Sequence, residues 1–200
     1  MNKNHMIRSL FPGKLSVAFL ILITASSLVL VASGQTARVN AQKFQRPEDC
    51  GLHDYDEFKN SSFNLLGEAL KADLNYQKLK AGIQDNFSGE KEFNDSLSNS
   101  NLDQLRAMLR SARLMNDRIK ILIPDGNELF ENVSRIKPET TAKQATSNTK
   151  NSMKAVHISG DLLSELTDNL TKDIEALSRR IARKGGTMRE VEDKEAMELE

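Results

Sequence analysis

Apolar residues along the chain form one unbroken run and then a series of three- and four-residue steps. The run comes first: Leu15 to Ala32, LSVAFLILITASSLVLVA, contains no charged residue. As a helix with about 1.5 Å rise per residue, some 18 residues extend roughly 27 Å, just enough to cross a hydrocarbon core. Lys3, Arg8 and Lys14 all precede it. Flanking cations stay on the cytoplasmic side, so residues 1–34 are expected to act as a signal peptide or signal anchor that places the rest outside the cytoplasm. Ala32-Ser33-Gly34 and Val39-Asn40-Ala41 offer small residues where a signal peptidase cuts, whereas the length of the run suits an uncleaved membrane anchor. Both outcomes give the same topology, periplasmic or secreted in one case and tethered in the other.

Residues 35–56 show neither helical nor strand periodicity and contain Pro47 and Gly51, which reads as an irregular linker. Phe63, Leu66, Leu70 and Leu74, then Leu79 and Ile83, mark one face of a helix from about Glu57 to Ile83. Asn86 to Asn99 is polar and reads as a loop. Ser100-Asn-Leu-Asp103 resembles a capping box, opening a helix whose stripe is Leu102, Leu105, Leu109, Ala112, Ile119 and Ile123. Met108, Met115 and Leu122 widen that stripe. Pro124-Asp-Gly-Asn127 is a turn signal, so a short antiparallel helix from Glu128 to Ile136 is expected after it, ended by Pro138. Glu139 to Asn151 lacks large apolar groups and reads as a flexible connector. Beyond it Met153, Val156, Gly160, Leu163, Thr167, Leu170, Ile174, Leu177 and Ile181 hold a 3-4 alternation over four heptads, the pattern of a coiled-coil seam. Arg179, Arg180, Arg183 and Lys184 in its last turns suit the negative helix end, and Gly185-Gly186 suits its C-cap. Residues 185–200 form an acidic tail, expected to be disordered or a frayed helix.

The fold class that follows is all-α. It is an elongated helical hairpin or bundle over residues 57–184, with a long C-terminal coiled-coil-like helix. Composition agrees, since 5% aromatic residues and no Trp suit helices packed through Leu, Ile, Met and Ala.

Charge narrows the partners. The leader holds three of the 28 basic residues and none of the 28 acidic ones, leaving a near-neutral remainder. That gives no electrostatic case for nucleic acid. Nor is there a nucleophile elbow, a His-Glu-x-x-His, a Cys-x-x-Cys or a phosphate-binding glycine loop, so no enzymatic activity and no cofactor is expected. Cys50-Gly-Leu-His53-Asp-Tyr-Asp56-Glu57 contains zinc-type ligands, but Asp54 or Asp56 capping the next helix accounts for the same residues. Cys50 is the single cysteine, so in an oxidising compartment any disulfide it makes is between chains. Asn60, Asn86, Asn94, Asn132 and Asn169 begin glycosylation sequons, which matter only in a eukaryotic source.

The expected function is therefore non-catalytic. It is an extracytoplasmic helical protein acting through helix-face contact with another protein or with itself, the seam Met153, Val156, Leu163, Leu170, Ile174, Leu177 and Ile181 being the interaction surface. The membrane is a partner only if the leader stays attached. The alternative is a periplasmic or extracellular bundle that binds a small ligand or metal in its interior. That would require converging core polar groups, of which the periodicity picks out Asn116 and Thr167.

Overall fold

The computed structural model describes residues 44–87 and 94–183. The apolar run, its cleavage sites and the acidic tail lie outside the described residues. Three helices make up nearly all of the remainder: α1 (His53–Phe87), α2 (Asp95–Asn132) and α3 (Glu139–Arg183), with a 3-10 turn (Val133–Arg135) between the last two. No strand occurs among the described residues, so the protein is an all-α bundle. The helices alternate in direction, and α3 packs on both of the others. No helix among the described residues is long and apolar enough to cross a membrane.

The sequence pattern misplaces several boundaries. α1 begins at His53 rather than near Glu57, because the Asp56 carboxylate accepts hydrogen bonds from the backbone N–H of Cys50 (2.8 Å) and Gly51 (2.9 Å). Those bonds fold the chain into the helix, whose first turn closes through Asp56 N–H to Leu52 O at 2.9 Å. Gly51 permits the bend with φ of 78°, the left-handed region where side chains are strained.

α2 begins at Asp95, not at the Ser100 capping box. Asn94 is the N-cap, its Oδ1 accepting from Leu97 N–H at 2.9 Å. Ser98 and Asn99, read as loop formers, bond back to Asn94 O and Asp95 O and are buried inside the first turns.

Pro124-Asp-Gly-Asn127 does not end α2, so the separate helix from Glu128 to Ile136 is also corrected: the chain runs helical through Pro124 to Asn132. Packing outweighs turn propensity here. Leu122, Gly126 and Leu129 follow each other on the inner face, and a Cβ on Gly126 would meet Phe58 Cζ at 2.6 Å. Any larger residue there would have to displace the side chains of Phe58 and Met153 that pack against this face of α2. The Tyr55 hydroxyl adds a bond to Leu129 O at 2.9 Å.

The supposed connector from Glu139 to Asn151 is the first part of a 45-residue α3. Its inner face is Ala145, Asn148, Thr149 and Ser152, all buried. The hydroxyls of Thr149 and Ser152 donate to the carbonyls of Ala145 (2.9 Å) and Asn148 (2.7 Å) one turn back. A helix can therefore bury these small polar groups without orphaning them, and apolar periodicity alone overlooks it.

The main core joins all three helices through Phe58, Leu65, Ala69 and Tyr76 of α1, Leu102, Leu105, Ala112 and Leu122 of α2, and Val156, Leu163, Leu170 and Ile181 of α3. Each fully buried Leu or Ile contributes about 1.5–3 kcal/mol relative to exposure. Leu74, placed on the core stripe by its spacing, is 54% exposed instead. Phe63, Leu66 and Leu70 face a second, smaller cluster with Ala155, Ile158, Leu162 and Phe44.

Phe44 belongs to the lead-in, and residues 44–52 are a fastened strap rather than a free linker. Phe44 stacks on Phe63 with ring centroids 5.4 Å apart, under the Lys154 ammonium. Arg46 bonds to Asn60. Asn148 Nδ2 and Gln144 Nε2 donate to the carbonyls of Glu48 (2.8 Å) and Asp49 (2.9 Å). Beneath the strap the buried Lys59 ammonium is ion-paired with Asp49, and Asp56 lies 3.8 Å away.

Candidate functional site

The seam residues are all accounted for within the chain. Val156, Leu163, Leu170, Leu177 and Ile181 are buried in the main core, and Met153 and Ile174 pack against it half-buried. The buried face of α3 is wider than the seam, taking in Ser152, Ala155, Ser159, Leu162 and Leu166, because α3 meets two helices instead of one. The helices that cover these residues are α1 and α2.

Cys50 is half-buried in the strap, with its thiol beside Asp56. Burial raises the thiol above its ordinary pKa and the Asp56 carboxylate adds to the rise, against a hydrogen bond from the Leu52 backbone. The zinc-type cluster does not converge. His53 and Glu57 are exposed and face each other at 3.6 Å, while Asp56 is turned to the backbone. Among the described residues no group of three or more His, Cys, Asp or Glu could hold a metal ion. The interior is more polar than Asn116 and Thr167, both half-buried, would suggest. Ser62, Asn101, Asn148, Thr149, Ser152 and Ser159 are all buried.

A recess lies where the C-terminal ends of α1 and α3 meet the start of α2. It encloses about 450 Å³. Ile83, Leu105, Ala176 and Leu177 give it apolar walls, and Lys80, Arg179, Arg180 and Arg183 line it with four cations against the single carboxylate of Asp173. On α3, Arg179, Arg180 and Arg183 are three and four apart and so share one side of the last turns, near the negative end of the helix dipole. Arg179 also lies 4.0 Å from Glu175.

A closed polar triangle anchors one wall. The buried Tyr76 hydroxyl donates to Asp173 Oδ2 at 2.6 Å, and Lys80 Nζ sits 3.0 Å from both oxygens. Burial, then the bond to Asp173, pushes the Tyr76 phenol up to about 12. Burial alone would lower the Lys80 ammonium, but its bonds to Tyr76 and Asp173 reverse the direction and raise it. Lys80 therefore stays charged and Tyr76 protonated near neutral pH. The triangle fixes Lys80 in the cationic lining.

At the opposite end of the bundle a shallower groove of about 380 Å³ runs between α1 and α2. Its lining reverses the charge: Asp54, Glu57, Asp125 and Glu128 surround Phe58, Leu122 and Leu129, with no cation among them.

Sequence reasoning read the three arginines only as partners of the helix end and left Tyr76 unremarked. Tyr76 and Asp173 are 97 positions apart, so periodicity could not join them. The available signal was a tyrosine at core phase, whose hydroxyl requires a buried partner. Comparisons with family models, with curated proteins and with solved structures return no match.

Proposed function

We propose that the protein is an exported, non-catalytic binding module that takes an acidic segment of another protein chain in the cationic recess between the ends of α1, α2 and α3. The supporting observation is the lining of that recess, four cations to one carboxylate over apolar walls. An acidic peptide carrying one or two apolar side chains matches both features. The seam offers no such surface, since its apolar side chains are covered by α1 and α2. Export rests on the uncharged run from Leu15 to Ala32 and the basic residues before it.

Catalysis is left out for a physical reason. A general base works best with a pKa near the operating pH. Behind the recess wall Tyr76 is held protonated up to about 12, and in the lining Lys80 is raised and paired with Asp173.

The test is fluorescence anisotropy of a labelled peptide alternating Glu and Leu, added to the full-length chain in non-ionic detergent. Binding should weaken at least tenfold in Arg179→Glu/Arg183→Glu and fall with rising salt. Equal affinity in both proteins would overturn the reading.

A second reading has its own support. The recess volume of about 450 Å³ lies within the roughly 300–1,000 Å³ typical of small-molecule sites. A small amphipathic anion, probed with a medium-chain fatty acid, would then compete with the peptide. In the same oxidising setting Cys50 would pair with a cysteine of another chain, which gel mobility with and without reductant checks.

A further inference from the structure

We infer that the acidic partner of the cationic recess is the acidic groove of a second copy of this chain, so that copies associate head to tail. This rests on the reading of the recess as a site for acidic protein. Three observations lead to it. First, the two surfaces are complementary in kind: cations over Ile83, Leu105 and Leu177 on one, carboxylates around Phe58, Leu122 and Leu129 on the other. One is lined by four cations to one carboxylate and the other by four carboxylates with no cation, the complementarity that gives an interface its register.

Second, one molecule cannot satisfy both surfaces by itself. Phe58 and Ile83 lie on the same helix, 25 residues and so about 37 Å apart. That exceeds the Debye length of about 10 Å at 0.1 M salt several times over, so neither surface screens the other within a molecule. Third, acidic and basic residues balance over the whole chain at 28 each, so no net charge opposes bringing copies together. Because donor and acceptor surfaces differ, the contact is heterologous. It propagates into a chain of copies or closes into a ring, rather than stopping at a symmetric dimer.

Two charge-reversed proteins test this. Arg179→Glu/Arg183→Glu leaves three carboxylates to two cations in the recess, and Glu57→Lys/Asp125→Lys/Glu128→Lys leaves three cations to one carboxylate in the groove, all five being exposed positions. Sedimentation velocity on full-length protein in non-ionic detergent should show the wild type gaining mass with concentration at low salt and losing it at high salt. Each reversed protein alone should stay monomeric. Their equimolar mixture should associate again, because the acidic recess of one then faces the basic groove of the other. Thermal melting of both should match the wild type to within a few degrees, which keeps loss of fold from imitating loss of contact. A monomeric wild type at every concentration, or a mixture that stays monomeric, overturns the inference. If the Glu/Leu peptide still binds the wild type in that case, the recess remains a site for acidic protein and only the identity of the partner is lost. If the peptide fails as well, both fall.

Discussion

Gly126 and Tyr76 show how single residues set this bundle. A methyl group at Gly126 would press on Phe58 Cζ and the Met153 sulfur. Gly126→Ala should therefore cost about 1–3 kcal/mol, the range for overpacked cores. The same change at Gly82 meets open space on a helix, and it should stabilise by about 0.5–1 kcal/mol. Denaturant midpoints of the two variants, moving in opposite directions, check the pair. Tyr76→Phe removes a bond to a charged acceptor but leaves Lys80 on Asp173. A loss of about 1.5 kcal/mol is expected, at the low end for such bonds. The phenol also sets an alkaline limit. Its folded pKa, about 12, is raised above the ordinary 10, so its contribution is complete below about pH 10 and disappears as pH climbs through 12. Asp56 acts at the other extreme. Burial pushes it up, but hydrogen bonds from Cys50 and Gly51 and the charge of Lys59 bring it below its ordinary value. Its stabilisation is present above the ordinary aspartate range and is lost as pH falls through the lowered value. Asp56→Asn should thus flatten the acid limb of a stability–pH curve. None of these partnerships was legible in the sequence: Asp54 or Asp56 was expected to cap the helix, whereas Asp56 lies inside α1 and accepts from the strap's own N–H groups.

Among the elements, the large-residue stripe of α2 and the second half of α3 were legible because Leu, Ile and Met recur there at helical spacing. What escaped was built from small or polar residues. Ala145, Thr149 and Ser152 carry α3 through its first turns, which hold no large apolar side chain before Met153, and Asn94 starts α2 six residues before the apparent capping box. Local turn signals misled at Pro124 because the packing that overrides them comes from α1 and α3, far away in sequence. Leu170→Ala tests the reassigned role of the seam. Leu170 is fully buried among the chain's own helices, so truncation should cost about 2–5 kcal/mol of unfolding free energy while leaving native mass unchanged. A change in mass with stability intact would return the seam to an intermolecular role.

For the molecule as a whole, the all-α class was readable from the sequence, whereas the candidate site was not. The recess needs the ends of three helices, and no segment contains enough of it to show a pattern. The export expectation has a direct check: a reporter joined after Glu200 should be active only outside the cytoplasm, and activity inside would refute it. The strap holds the lead-in against the bundle. Residues 44–52 are fixed to α1 and α3 by ring stacking, an ion pair over Lys59 and side-chain bonds to two carbonyls.

The two tyrosines have an optical consequence. The chain has no Trp, and Tyr55 and Tyr76 are its only tyrosines. One hydroxyl is fixed to Leu129 O beside the acidic groove, the other to Asp173 beside the cationic recess. Near-ultraviolet absorption and emission therefore come from one phenol chromophore at each end of the bundle, without indole to mask them. Replacing either with Phe leaves a single lamp whose colour and brightness follow one end alone. Since one hydrophobic core runs from Phe58 to Ile181, the two lamps should dim at the same temperature. An occupant of the recess should change the light of Tyr76 and leave that of Tyr55 as it was.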